Sequence, residues 1–392
     1  MLIDDLLEEG LKLYKIKDFN IVKKRMFEAA VESIKWQFEK CALYRNLCKQ
    51  KNFDPRRDLK NLEDLKNIPY LTTANFKGKS GRPKELLCVP EDQIHFWSLS
   101  SGTSGDPSMV GRDWTNIKRT YKAYKCVLEF LNIDKAEYVI FFTPPIRHHT
   151  WDEKGPIQES AFTYFQELIM DHIPLENRLY AFKVIEVPGG TPPRKLEVDG
   201  EKLFGLLNKL SGQNKRIWLG GSVPLCFKTL TEYYNKTGKT FKLGGNCYLA
   251  VGGGWKTFSG EAVNPEIFWK NMSEILGIPQ ENVRDVYTFS ETDICFPECK
   301  YHNKHLFPWY DVIVRDTETL EPVKKGEKGL INVINPIAYS YAGVSIMQDD
   351  IVRITHEDDC PCGIPGKTIE MIGRAKGAEA KGCGAQIAEM GK

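Results

Sequence analysis

Ser98-Leu99-Ser100-Ser101-Gly102-Thr103-Ser104-Gly105-Asp106-Pro107 packs small hydroxyl residues and two glycines into one short run. Glycine lets a backbone approach a ligand closely and accept positive φ. Successive backbone N–H groups and hydroxyls then surround phosphate oxygens. A solvated Ser/Gly linker has a similar composition, but the flanks argue otherwise. Ile94-His95-Phe96-Trp97 reads as a strand and Trp114–Leu131 as a helix, so the run sits at a strand-to-helix transition. No Gly-Lys-Ser/Thr follows the second glycine, which excludes a Walker loop.

Outward from this loop, short apolar runs alternate with helical patterns. The runs are Tyr138–Phe142, Phe182–Val187, Arg216–Leu219 and Tyr248–Val251, with helices expected at Glu201–Leu210 and Pro265–Leu276. Such alternation predicts an α/β fold with a largely parallel sheet. Beyond Tyr287 the texture becomes hairpin-like, with strands expected at Asp311–Asp316 and Gly329–Ile334. Before the loop, Val22, Met26, Ala30, Ile34, Phe38 and Cys41 recur about once per helical turn and predict a core-facing helix stripe. Asp54–Tyr70 reads as charged loop. The expected organisation is a helical segment over 1–90 packed on the core, a core over 91–374, and a short tail over 375–392.

Composition narrows the class. The chain has 392 residues, 54 Lys plus Arg against 52 Asp plus Glu, and a net charge of +2. That balance argues against a nucleic-acid binder. No apolar run approaches the roughly 20 residues that span a bilayer, and Met1–Gly10 lacks the apolar core of a signal peptide. A cytoplasmic protein is expected. In a reducing compartment the eleven cysteines read mostly as small buried hydrophobes.

Three later segments, in order, complete a pattern. Val251-Gly252-Gly253-Gly254-Trp255-Lys256 is a glycine-rich turn. Tyr287-Thr288-Phe289-Ser290-Glu291 and Gln348-Asp349-Asp350-Ile351 follow, with Gly373-Arg374 near the end. Together with the Ser/Thr/Gly loop they resemble the motifs of adenylate-forming enzymes. The resemblance implies the large N-terminal domain of that superfamily, α/β sheets with helices plus a small distorted β-barrel, and no C-terminal lid domain, since only a short tail follows Arg374. It implies ATP phosphates held by Ser100, Ser101, Gly102, Thr103, Ser104 and Gly105. Adenine lies against Gly252, Gly253, Gly254 and Tyr287. Glu291 holds Mg²⁺ on the phosphates, with Ser290 keeping the motif's hydroxyl. Asp350 receives the ribose hydroxyls, and Arg374 pairs with phosphate or ribose oxygens. The departures are Ser108, where the superfamily signature ends in lysine, Thr288 in place of glycine, and Asp349.

Within that superfamily the chain is most similar to the acyl-protein synthetases of bacterial luminescence systems, relatives of the phenylacetate–CoA ligases. Tyr44-Arg45, Ile68-Pro69, Gly252–Lys256, Gly373–Glu379 and Gly382-Cys383 carry this resemblance. It implies a carboxylic acid substrate, a fatty acid, activated as acyl-AMP and passed to Cys383 as a thioester, with acyltransferase and reductase partners. An acyl- or aryl-CoA ligase and an inactive zinc-bearing scaffold are the alternatives. Lys376 and Lys381 near Cys383 favour the thiolate.

Cys299, His305, Cys360 and Cys362 form a candidate zinc set, three thiolates and an imidazole that suit a closed tetrahedral site. Cys295 and His302 are spare candidates. The relatives with a similar arrangement use it structurally. Trp151, Phe162 and Phe165 are candidates for the acyl pocket, and His148-His149 and Lys256 carry no firm role.

Overall fold

A computed structural model describes residues 1–100, 105–143, 145, 156–170, 175–186, 194–253 and 263–375. Its centre is a sheet of five parallel strands. In spatial order they are Val283–Tyr287, Cys247–Gly252, Ile217–Ser222, Tyr138–Phe142 and Arg178–Tyr180, with Phe296–Pro297 antiparallel at one edge. Helices Gly200–Leu210, Val223–Thr237 and Pro265–Leu276 supply the crossovers. Local chemistry sets their ends. Asn264 caps the last of these by accepting from Glu266 N, Pro265 occupies its first turn, and Gly277 ends it at φ +64. A Cβ at Gly277 would lie 2.2 Å from the carbonyl oxygen of Phe241, so only glycine fits this left-handed exit.

Phe182–Val187 was expected among the parallel strands, and here the structure corrects the sequence. Phe182–Glu186 leaves the sheet and pairs with Arg194–Val198 as an antiparallel hairpin. Arg178–Tyr180 takes the sheet position instead. The reason lies in the charges. Lys183 pairs with Glu197 across the hairpin, and Val184 and Leu196 are exposed. A parallel strand covered on both faces has no room for such residues.

Two further sheets flank this centre. Phe96–Leu99 lies between Met109–Arg112, antiparallel, and Ile157–Ser160, parallel. The third sheet runs Lys304–His305, Lys367–Arg374, Ser345–Glu357, Gly329–Ile334 and Asp311–Arg315, with Leu71–Thr72 alongside Ser345–Glu357. The hairpin expected after Tyr287 is therefore present.

The long helix near the amino terminus spans Phe19–Lys40, capped by Asp18. Its whole predicted stripe, Val22 through Phe38 and on to Cys41, is buried. Polar groups on the same face tie it to a turn far away in sequence. Gln37 donates to Ala338 O at 3.0 Å and accepts from Val344 N at 3.1 Å, while Ser33 and Trp36 donate to the carbonyls of Pro336 and Tyr339. The Tyr44 hydroxyl donates to Pro69 O at 3.0 Å, joining two of the segments that carried the family resemblance.

Candidate active site

Parallel α/β sheets place ligands at the carboxyl ends of their strands. Gly252 and Tyr287 end two neighbouring strands, with Gly252 paired to Val286. Gly252 has a packing reason to be glycine, because a Cβ there would sit 2.7 Å from Val286 Cγ2. Gly253 turns the chain out at φ +74. The Tyr287 ring is buried beside this edge and its hydroxyl donates to Asp350 Oδ2 at 2.7 Å. Burial, and then the Asp350 charge, push the Tyr287 phenol well above its usual range, so it stays a proton donor. Asp350 sits opposite Arg374 on the paired strands, and the guanidinium approaches its other oxygen at 3.4 Å. Burial pushes Asp349 up, Asp350 adds to this, and the charges of Arg374 and Lys77 oppose it.

The two described ends of the Ser/Gly loop are tied together. Ser100 N donates to Ser108 O at 2.9 Å, and Ser108 N donates to Ser100 Oγ at 2.8 Å. Ser108 is fully buried, and its hydroxyl donates to Glu291 Oε1 at 2.5 Å. The loop end and the carboxylate expected to hold magnesium are thus in contact. Gly105 is at φ +78 with nothing near its absent Cβ. Ser101, Gly102, Thr103, Ser104, Gly254 and Cys383 lie outside the described residues, as do Lys256, His148, His149 and Trp151.

Sequence reasoning missed the network beneath this contact. Arg112 Nε bonds Asp293 Oδ1 at 2.6 Å, and both side chains are fully buried. Arg112 also donates to Ser98 Oγ, and its guanidinium lies 4.4 Å from the Tyr164 ring centre. Asn116 and Tyr341 donate to Asp293 Oδ2 at 2.8 and 3.0 Å. Burial disfavours the Arg112 charge, but Asp293, and after it Tyr164 and Tyr341, together outweigh burial and raise the Arg112 pKa. Arg112 ends the strand that leaves the Ser/Gly loop, and Asp293 lies two residues past Glu291. The pair therefore fixes one motif against the other. The available signal was a charged residue closing an otherwise apolar strand, Met109-Val110-Gly111-Arg112.

A second cluster lies on the third sheet. The ligand atoms of Cys299, His305, Cys360 and Cys362 all fall within 4.8 Å of one another. Cys362 Sγ is 3.2 Å from His305 Nε2 and Cys299 Sγ is 4.0 Å from Cys360 Sγ. Backbone N–H groups of Tyr301 and Ile364 donate to the Cys299 and Cys362 sulfurs, each at 3.4 Å. Gly363, at φ +82, closes the Cys360–Gly363 turn. A hydrogen bond from Cys362 pulls the Cys299 thiol down, while the same contact pushes Cys362 up. The spare candidates fall elsewhere. His302 stacks on Trp269 at 3.6 Å and reaches Glu298, and Cys295 is a core residue whose thiol burial pushes up. Phe165 is buried and stacked on Tyr124, 5.3 Å between centroids.

Asp293→Asn strands the Arg112 charge in the interior. Urea unfolding should show a loss of about 3–5 kcal/mol. Tyr341→Phe removes only one donor and should cost about 0.5–1.5 kcal/mol. Equal, small losses for both would contradict the role given to the ion pair.

Comparison with known proteins identifies the family and the fold. The profile of the family described as "Acyl-protein synthetase, LuxE" matches residues 3–390. A long-chain-fatty-acid–luciferin-component ligase of Vibrio harveyi is 28% identical over 331 residues, 84% of this chain and 79% of its own length. The protein of that description from Aliivibrio fischeri is 26% identical over 362 residues, 92% and 86% of the two chains. Among solved structures, an open form of 2-hydroxyisobutyryl-CoA ligase in complex with 2-HIB-AMP and CoA superposes with a TM-score of 0.64. That match covers 89% of this chain and 74% of the other at 15% identity, a likeness of fold. The chain belongs to the LuxE acyl-protein synthetase family.

Proposed function

We propose that this chain activates a long-chain fatty acid with ATP and carries the acyl group on Cys383 for delivery to partner proteins, an acyltransferase and a reductase. The observation that carries the reading is the convergence of separate motifs on one edge of the parallel sheet. Ser108 meets Glu291 at 2.5 Å, and Tyr287 meets Asp350 at 2.7 Å. The family match, which extends through residue 390 and so includes Cys383, supports the acceptor. The relatives named above are fatty-acid ligases.

A carboxylate is a poor electrophile. Its oxygen attacks the α-phosphorus of ATP, the bond to the β-phosphate oxygen breaks, and pyrophosphate leaves. The product is a mixed anhydride, acyl-AMP. The Cys383 thiolate then attacks the acyl carbon, a thioester forms and AMP leaves. Asp350, which Tyr287 and Arg374 approach, is the carboxylate assigned to accept from the ribose hydroxyls. The motif resemblance assigns Gly252, Gly253 and Gly254 to the adenine, and Ser100–Gly105 with Ser290 to the phosphates. Glu291 is a nearly buried carboxylate beside the loop, a hard oxygen donor suited to Mg²⁺. When bound, that ion shields the phosphate charges.

The Cys299–His305–Cys360–Cys362 cluster suits Zn²⁺, because soft thiolates and an imidazole converge and backbone N–H groups already bond two sulfurs. Four protein donors leave no open position, so its role is structural.

Purified chain supplied with magnesium should exchange labelled pyrophosphate into ATP when given a fatty acid, and intact-mass spectrometry should show a hydroxylamine-labile acyl adduct. Cys383→Ser should abolish the adduct and preserve exchange. An adduct that persists in that variant contradicts the acceptor, and wild-type chain without exchange for any acid contradicts the activity. Metal analysis should find about one zinc per chain. Cys299→Ser should lose it, and a chelator should lower the unfolding temperature of wild type but not of the variant. Protons compete for the thiolates, so the zinc contribution is largest near about pH 8 and shrinks as pH falls. Metal-free protein of undiminished stability would contradict the zinc assignment.

A further inference from the structure

The loop signature of adenylate-forming enzymes closes on a lysine, and this chain has Ser108 at that place. The side chain there is fully buried and points at Glu291, so it offers the nucleotide no cation. A different segment lies against the same stretch. Residues 77–80 form a strap along 105–108. Gly78 N donates to Pro107 O at 2.9 Å, and Lys77 pairs with Ser108 as an antiparallel bridge. Asp106 accepts from Lys79 N, Ser80 N and Ser80 Oγ at 2.8, 2.9 and 2.6 Å.

The strap is tight because its glycines permit it. A Cβ at Gly78 would come within 3.0 Å of Met109 Sδ, and one at Gly81 within 2.6 Å of the Ala74 and Lys77 carbonyl oxygens. Directly opposed residues in an antiparallel pair project to the same face. Ser108 projects to Glu291, so the Lys77 side chain leaves on the face of the site that carries Glu291. The ammonium of the other strap lysine, Lys79, donates to Gly105 O at 3.2 Å. Lys77 is half-buried, and its charge is felt at Asp349, beside Asp350, and at Asp106. A carboxylate-rich pocket for a polyphosphate needs such a cation.

We infer that Lys77, delivered by the amino-terminal strap, is the lysine that contacts the β- and γ-phosphates of bound ATP in place of the one missing at position 108. The inference rests on the ATP reading above and adds the residue that neutralises the leaving pyrophosphate. It also gives the segment before the core a direct part in nucleotide binding. The ammonium is a point donor to phosphate oxygens, and arginine at this position would preserve the charge.

The test is calorimetric titration of the full chain with Mg-ATP, Mg-pyrophosphate and AMP, alongside thermal unfolding. Lys77→Met should weaken Mg-ATP and Mg-pyrophosphate by about ten- to a hundredfold, the range of a charged hydrogen bond. AMP affinity and the unfolding midpoint should stay as in wild type, and Lys77→Arg should recover most of the loss. Two results overturn the lysine. One is Mg-ATP affinity in Lys77→Met within about twofold of wild type. The other is a parallel loss of AMP binding, which marks a merely structural role. Wild-type chain that binds AMP but not Mg-ATP also overturns it, and wild-type chain that binds no nucleotide at all overturns the ATP reading itself.

Discussion

The Arg112–Asp293 ion pair is the constraint on which the site depends. Both side chains are fully removed from solvent. Taking two charges out of water costs several kcal/mol for each, and only close geometry with further hydrogen bonds offsets this. Here the offset comes from Asn116, Tyr341 and Ser98, and from the aromatic faces around the guanidinium. The pair joins residues 181 positions apart in sequence. One partner belongs to the strand leaving the Ser/Gly loop. The other follows Glu291 by two residues. A well-packed apolar pair would fill this space at least as stably, but it would not fix orientation with directional bonds at both oxygens of Asp293. Directional anchoring places Ser108 against Glu291 on one side and holds Tyr341 and the 336–344 turn on the other.

That turn carries the constraint further. Tyr339 N donates to Asn116, and Ser340 donates to Gly111 O. Helix Phe19–Lys40 then grips the same turn through Ser33, Trp36 and Gln37. The amino-terminal helices, the loop-bearing small sheet and the late antiparallel sheet thus share one buried polar framework. The active-site edge of the parallel sheet abuts it through Tyr287 and Asp350. Rigid support of this kind suits a reaction that must orient its substrates.

Much of this was legible from residues alone. Tyr138–Phe142 and Pro265–Leu276 have the bounds their patterns implied, because continuous apolar runs and cap residues leave little choice. The Cys/His cluster was legible because sulfur and imidazole donors are chemically distinctive, and Cys-Pro-Cys-Gly makes a turn that brings two of them together. Other features were not. Phe182–Glu186 begins like the buried strands, and only its partner Arg194–Val198 shows that its charges belong at a surface. Arg112, Asp293 and Lys77 each look like ordinary charged residues in one dimension. Their meaning comes from partners far away in sequence, and no local pattern encodes that. Ser108 looked like a defect in the loop signature, whereas in three dimensions it is a hydrogen-bond donor to Glu291.

The account stands on nucleotide lying between Ser108–Glu291 and Tyr287–Asp350. The most direct measurement is a crystal structure with a non-hydrolysable fatty acyl sulfamoyl-adenosine. The account predicts ribose hydroxyls on Asp350, adenine along Gly252–Gly254 beside Tyr287, and the sulfamate facing the Ser/Gly loop. An adenosine bound elsewhere, with its ribose out of reach of Asp350, would contradict it.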